Sequence, residues 1–116
     1  VPKNRKDCLV RRRPKEALVR LFRLNDEQEV ACCVGCASCG KSGIVGRIGV
    51  YELLPISTKL RTAVVEAGGS AAFEEIAAAE GLVPYATQVR ARLLEGVVSP
   101  RAALQCLGVA PELVGY

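Results

Sequence analysis

A chain of 116 residues, half of them apolar, is long enough for one domain or for two small lobes sharing a core. Three Tyr, two Phe and no Trp leave an aliphatic interior, and the Ala, Val and Leu of the second half favour close-packed helices over a β-sandwich. No apolar run approaches the roughly 20 residues a membrane-spanning helix needs, and no secretory signal pattern is read at the start. The formal charge of +4 is uneven: residues 1–23 carry nine Lys and Arg against Asp7 and Glu16, while the remainder has seven basic and ten acidic residues. Such a basic arm suits nucleic acid, anionic lipid or an acidic protein, or is simply a solvated end. The absence of Met is expected of a segment cut from something longer.

In chain order, residues 1–13 read as irregular and basic. Pro14 suits a first helical position, and Ala17, Leu18, Leu21 and Phe22 fall on one helical face. Asn25, Asp26 and Glu27 read as a turn. Residues 29–34 allow a short strand, residues 30–39 are compact and cysteine-rich, and residues 40–46 form a loop with three glycines. Residues 47–54 are the strongest strand candidate, closed by Pro55. This strand is expected to pair near residues 30–33, with another protomer, or with a domain outside the chain.

The period then becomes helical. Ser57 is placed to cap a helix with Leu60, Val64 and Ala67 on one face, stopped at Gly68 and Gly69. Ser70 opens a second, with Phe73, Ile76 and Ala77 inward and Gly81 at its end. A third spans about residues 86–95 with Val89 and Leu93 inward, ending at Gly96. Ser99 followed by Pro100 opens a fourth, through Leu104 to Leu107. Helices this short are stable only when packed together.

Six cysteines stand at 8, 32, 33, 36, 39 and 106, four of them within eight residues. Without an export pattern, such clustering points to metal ligation in a reducing compartment rather than to disulfides. The overlapping pairs Cys33 with Cys36 and Cys36 with Cys39 let thiolates converge on one tetrahedral ion. Cys8 or Cys32 is available as a fourth ligand. With no His in the chain, a closed site is all-cysteine; zinc fits it, and an iron–sulfur cluster is the rival. Cys106 is expected apart, buried on the last helix.

Residues 35–42 also match the phosphate-binding pattern G-x-x-x-x-G-K-[ST]. A phosphate loop joins a buried strand to a helix whose N-terminus holds the phosphates. Here Gly43, Gly46 and Gly49 stand where that helix should run, each costing about 1 kcal/mol against Ala. No Asp follows Asp26 to hold magnesium. The metal reading has the better physics.

From Gly35 onward the residue order resembles the C-terminal region of the ATPases that drive type II secretion and type IV pilus assembly. The carrying stretch is "GCASCGKSGIVGRIGVYELLPIS", in which Gly35, Cys36, Cys39, Gly43, Gly46, Arg47, Gly49, Val50, Tyr51, Glu52, Leu53 and Leu54 fall in the family's order. The tail "IAAAEGLVPYATQVRARLLEGVVSPRAALQCLG" is similar to the family's closing helices, and "PKEALVRLF" falls where the family places a helix between two cysteine pairs. The resemblance implies that the true phosphate loop lies upstream of this segment and that residues 35–42 are the second half of a metal motif. It places Cys8 in the first pair, where Arg11 stands in place of the second cysteine, so Cys33 or Cys32 would have to complete the site.

The expected fold is mainly α with a small β element: a cysteine zinc-knuckle, a short strand and a four-helix C-terminal bundle. Residues 1–46 would hold the basic arm, a helix and the metal-binding region, and residues 47–116 the strand and helical subdomain. Cys8, Cys33, Cys36 and Cys39 are the expected ligands, with Cys32 as alternate. The resemblance implies a cytoplasmic module, peripheral to the inner membrane, without catalysis of its own. It would support the ATPase motor core, meet other protomers of a homo-oligomer and couple to the inner-membrane platform protein. The alternative is a small zinc-dependent nucleic-acid-binding module using Arg11, Arg12 and Arg13, whose binding would be strongly salt-dependent; the shortage of aromatics argues against base stacking.

Overall fold

The computed structural model describes residues 1–66 and 70–116. They form two compact units: residues 1–50 with 86–116, and residues 51–85. The second unit is thus inserted, in chain order, within the first.

In the first unit, the arm expected to be irregular is built into sheet. Strand β1 (Pro2–Asn4) pairs antiparallel with β4 (Ile44–Arg47), and β2 (Leu9–Arg12) pairs antiparallel with β3 (Val30–Cys33). The β2–β3 register runs from Leu9 opposite Cys33 to Arg12 opposite Val30. The N-terminus is tied down at Ile48, where both backbone groups of Val1 bond the main chain at 2.9 Å. Asn4, only 4% exposed, donates through its side-chain amide to the carbonyls of Ala31 and Gly96 at 3.3 and 3.0 Å. A buried amide with two acceptors fixes β1 in place, because leaving those carbonyls dry would be costly.

The strand expected over residues 47–54 is not formed. The strand is Ile44–Arg47, and residues 48–57 have no helix or strand. Val30–Cys33 is a strand as expected, but its partner is β2 and not the 47–54 segment. The basic residues of the arm made it read as irregular, yet Leu9 and Val10 supply the β-compatible side chains that zip against β3.

Helix α1 (Glu16–Phe22) buries Leu18 and Phe22, whereas Leu21, expected inward, is half exposed. Its C-terminal carbonyls are met by a cation: the Arg90 guanidinium donates to the Phe22 carbonyl at 2.7 Å and to that of Arg23 at 3.4 Å, a favourable place for positive charge. Helix α4 (Tyr85–Leu94) contributes Val89 and Leu93 to the core, and α5 (Pro100–Cys106) contributes Ala102, Ala103 and Leu104. The Ser99 hydroxyl accepts from the Ala102 N–H at 3.2 Å, the N-cap that the Ser–Pro pair announces. Helix α5 packs on β3, where Val30 and Ala31 are buried.

In the second unit, α2 (Thr58–Glu66) packs against α3 (Ser70–Ala79). The Ser57 hydroxyl caps α2 by accepting from the Leu60 N–H at 3.0 Å. Leu60 and Ala77 are fully buried, but Val64 is half exposed. The expected stop at Gly68 and Gly69, and Ala67 on the inner face, lie outside the described residues. The four downstream helices therefore exist near their expected positions but divide between the units: α2 and α3 in the second, α5 and all of α4 beyond Tyr85 in the first. Among the described residues, no helix is long and apolar enough to cross a membrane.

Candidate metal centre

Cys8 closes a single 3-10 turn (Lys6–Cys8) just before β2 and is buried. Its carbonyl accepts from the Val34 N–H at 3.2 Å, which holds it beside the chain leaving β3 for Cys36. Cys36 and Cys39 bracket a second 3-10 turn (Ala37–Cys39). That turn is closed by backbone bonds from Lys41 to the Cys36 carbonyl at 2.8 Å and from Gly40 to the Ala37 carbonyl at 3.2 Å. The Ser42 hydroxyl adds a bond to the Cys39 carbonyl at 2.7 Å. Two segments far apart in sequence thus bring three thiols together, with the sulfurs of Cys8, Cys36 and Cys39 all within 4.8 Å of one another.

The separations suit a metal. Cys36 Sγ and Cys39 Sγ are 3.6 Å apart, and Cys8 Sγ and Cys39 Sγ are 3.9 Å apart. A tetrahedral zinc with bonds of about 2.3 Å sets its sulfur ligands about 3.8 Å from each other. Two of the three separations lie close to that value. Backbone N–H groups are already aimed at the sulfur: those of Cys36 and Gly43 each donate to Cys39 Sγ at 3.2 Å.

These bonds shape the acidities. The Cys36 N–H, then that of Gly43, hold the Cys39 thiol down to about 6 from its ordinary 9.0, against the opposing effect of burial. Burial, followed by hydrogen bonding to Cys39 and Cys36, pushes Cys8 up to about 11. One thiol is therefore poised as a thiolate and another is held protonated until something positive arrives. A divalent cation would supply that charge and release protons on binding.

Of the expected ligands, Cys8, Cys36 and Cys39 are brought together, whereas Cys33 and the alternate Cys32 are not in the group. Cys33 lies beside the group without joining it: its Cβ is packed over Gly43, so close that a Cβ on Gly43 would stand 2.2 Å from it. Cys32, the neighbouring residue on β3, belongs to the opposite face by the alternation of a strand; Arg12 and Lys15 are its charged neighbours. Cys106 lies on α5, outside the group and half-buried rather than buried. Arg11 extends its guanidinium towards Gly96, with a terminal nitrogen 3.5 Å from where a Cβ on that glycine would be, and lines a cleft with Glu27, Gln28, Glu29 and Leu94.

The segment 35–42 is the knuckle around Cys36 and Cys39, and it leads into strand β4, not into a helix. Lys41, the residue a phosphate loop would use, is exposed and has φ 63°. The strand–loop–helix arrangement that makes a phosphate site is absent from this segment.

A feature unread in the sequence is a cleft of about 490 Å³ lined by Leu21, Phe22, Arg23, Ala86, Thr87 and Arg90. The signal for it was Leu21, an apolar residue at a helical position that the fold leaves half exposed.

No curated protein matches the chain. The family model described as "Type II/IV secretion system protein" matches residues 4–106, a span that takes in all three clustered thiols, both sheets except the first residues of β1, and helices α1 to α5. The chain belongs to the type II/IV secretion system protein family.

Proposed function

We propose that this chain is a non-catalytic metal-binding module of a secretion or pilus-assembly ATPase, and that zinc held by Cys8, Cys36 and Cys39 fastens its N-terminal arm to the cysteine knuckle. The carrying observation is the convergence of three thiols from two segments distant in sequence, at separations that fit one tetrahedral ion. A bound ion would supply a cross-link where few apolar side chains are available: around the site, Cys8 is the buried residue, and Cys36 and Cys39 are half-buried. In the assembled ATPase the module would be cytoplasmic, pack on the motor core and neighbouring protomers of a homo-oligomer, and couple them to the inner-membrane platform. Family membership supports that role. The nucleotide site would lie outside this chain, since the one phosphate-loop pattern here is spent on the knuckle.

The nucleic-acid alternative loses part of its basis, because Arg11 is turned to Gly96 and to a cleft bearing Glu27 and Glu29. Elemental analysis of protein purified without added zinc tests the metal reading. One equivalent of metal per chain is expected, and a chelator should lower the melting temperature. Absence of metal with all six thiols freely titratable in the folded protein would overturn it.

A further inference from the structure

We propose that the metal centre is a three-thiolate site whose fourth coordination position is open to an exogenous thiolate. The inference rests on the metal reading above and concerns what completes the site. Among the described residues, Cys8, Cys36 and Cys39 form the group, and no carboxylate joins them. The chain has no His. Asp7, the acid next to Cys8 in sequence, is paired with Arg5 at 3.0 Å. Cys33 is seated with its Cβ over Gly43, and its sulfur is not one of the grouped three. Arg11, three residues after Cys8 in the strand, is a cation directed at Gly96.

Three sulfurs define one face of a tetrahedron, and a zinc-like ion does not stop at three ligands. With no fourth donor grouped with them among the described residues, the open position falls to a donor from outside the chain. Access favours this: Cys36 and Cys39 are half-buried, and Ala37, Ser38, Gly40 and Lys41 around them are largely open to solvent. A soft ion already held by sulfur prefers another sulfur to a hard donor, so a small-molecule thiol at cellular concentration is the ligand class that fits. Closed structural sites have four protein ligands, and sites with three keep a position for exchange.

Cobalt(II) loading of the metal-free chain provides the test, because its sulfur charge-transfer absorption grows with the number of cobalt–sulfur bonds. The cobalt complex is titrated with 2-mercaptoethanol, for the natural sequence and for the Cys32→Ser and Cys33→Ser variants. The expected result is a three-sulfur spectrum that strengthens by about a third on adding thiol, the ratio of four bonds to three, and behaves alike in both variants. A four-sulfur spectrum before thiol is added, weakened in Cys33→Ser, would show that Cys33 closes the site and overturn the proposal while leaving the metal reading intact. A spectrum unmoved by thiol, or lost because thiol strips the cobalt, would overturn it as well. Failure to bind cobalt at all would overturn the metal reading together with it.

Discussion

Gly43 and Cys33 are in such close apposition that a Cβ on residue 43 would stand 2.2 Å from the Cys33 Cβ. The same glycine has φ 70° and donates its N–H to Cys39 Sγ at 3.2 Å. One residue thus joins strand packing, a left-handed backbone and the thiol cluster. Gly43→Ala is expected to destabilise the chain by about 3 kcal/mol, combining left-handed strain with forced repacking. Gly46 has φ 66°, but a Cβ there would meet nothing within 4 Å, so Gly46→Ala should cost only about 1 kcal/mol. Denaturant unfolding of both variants checks the difference; equal losses would mean that the contact with Cys33 carries no weight.

Asn4 is expected to be a position where charge is worse than truncation. Its amide nitrogen serves two carbonyls, those of Ala31 and Gly96. Asn4→Ala leaves both carbonyls without this donor and should cost about 2 kcal/mol. Asn4→Asp sets an anion against the same carbonyls in a site 4% exposed, and should cost more at neutral pH. The penalty should shrink as the carboxyl protonates on acidification. Unfolding curves at neutral and acidic pH distinguish the outcomes, and an Asp variant as stable as the Ala variant at neutral pH would contradict the account.

Much of this architecture was legible in the sequence, and the failures have physical causes. Ser57 and Ser99 announced their helices because a capping hydroxyl is a local device that works wherever a helix begins. The pairing of Cys36 with Cys39 was legible for the same reason, since a two-residue spacing with glycines nearby closes by itself. The strand over residues 47–54 was misread because alternation reports a strand's suitability and not its partner. Ile44–Arg47 pairs because β1 is present beside it, whereas residues 48–57 join no sheet among the described residues. Spacing alone offers Cys33 as a ligand but does not say where the strand seats it. Its seat on β3 over Gly43 depends on the β2–β3 register, which local spacing does not encode.

Thiol chemistry in the metal-free chain should be dominated by Cys39. Its folded value of about 6 lies below the ordinary 9.0, so near pH 7 it is largely thiolate, whereas Cys8, at about 11, is still a thiol. Alkylation by iodoacetamide should modify Cys39 before Cys8, and the rate at Cys39 should fall as pH drops through about 6, where the thiol form returns. Bound metal should suppress this reaction. Peptide mapping over time reads the order; Cys8 reacting first would show that the N–H bonds to Cys39 do not govern the cluster.

Lys41 is expected to have no part in nucleotide binding. It sits beyond the knuckle at φ 63°, exposed, with strand β4 soon after it. Lys41→Ala should be close to neutral in stability, and Lys41→Gly should gain about 1 kcal/mol by relieving the left-handed backbone. Calorimetric titration with ATP should show no saturable binding in either variant or in the natural chain. Saturable binding abolished by Lys41→Ala would restore the phosphate-loop reading of residues 35–42.

The surface around residues 51–56 should be where the module meets its assembly. Tyr51 is 76% exposed, Leu53 79% and Ile56 56%, in a segment with no helix or strand of its own. Large apolar side chains concentrated in this way are a liability in water unless another surface covers them. A protomer of the homo-oligomer or the ATPase motor core is the partner that the proposed role supplies. The double variant Tyr51→Asp with Leu53→Asp removes the apolar surface without touching the buried Leu60 and Ala77 of the same unit. It is expected to keep the helical circular dichroism signal and to lose association, measured by sedimentation of the chain alone and mixed with a secretion ATPase core. A chain that stays strictly monomeric at high concentration and shows no affinity for such a core would sink the prediction.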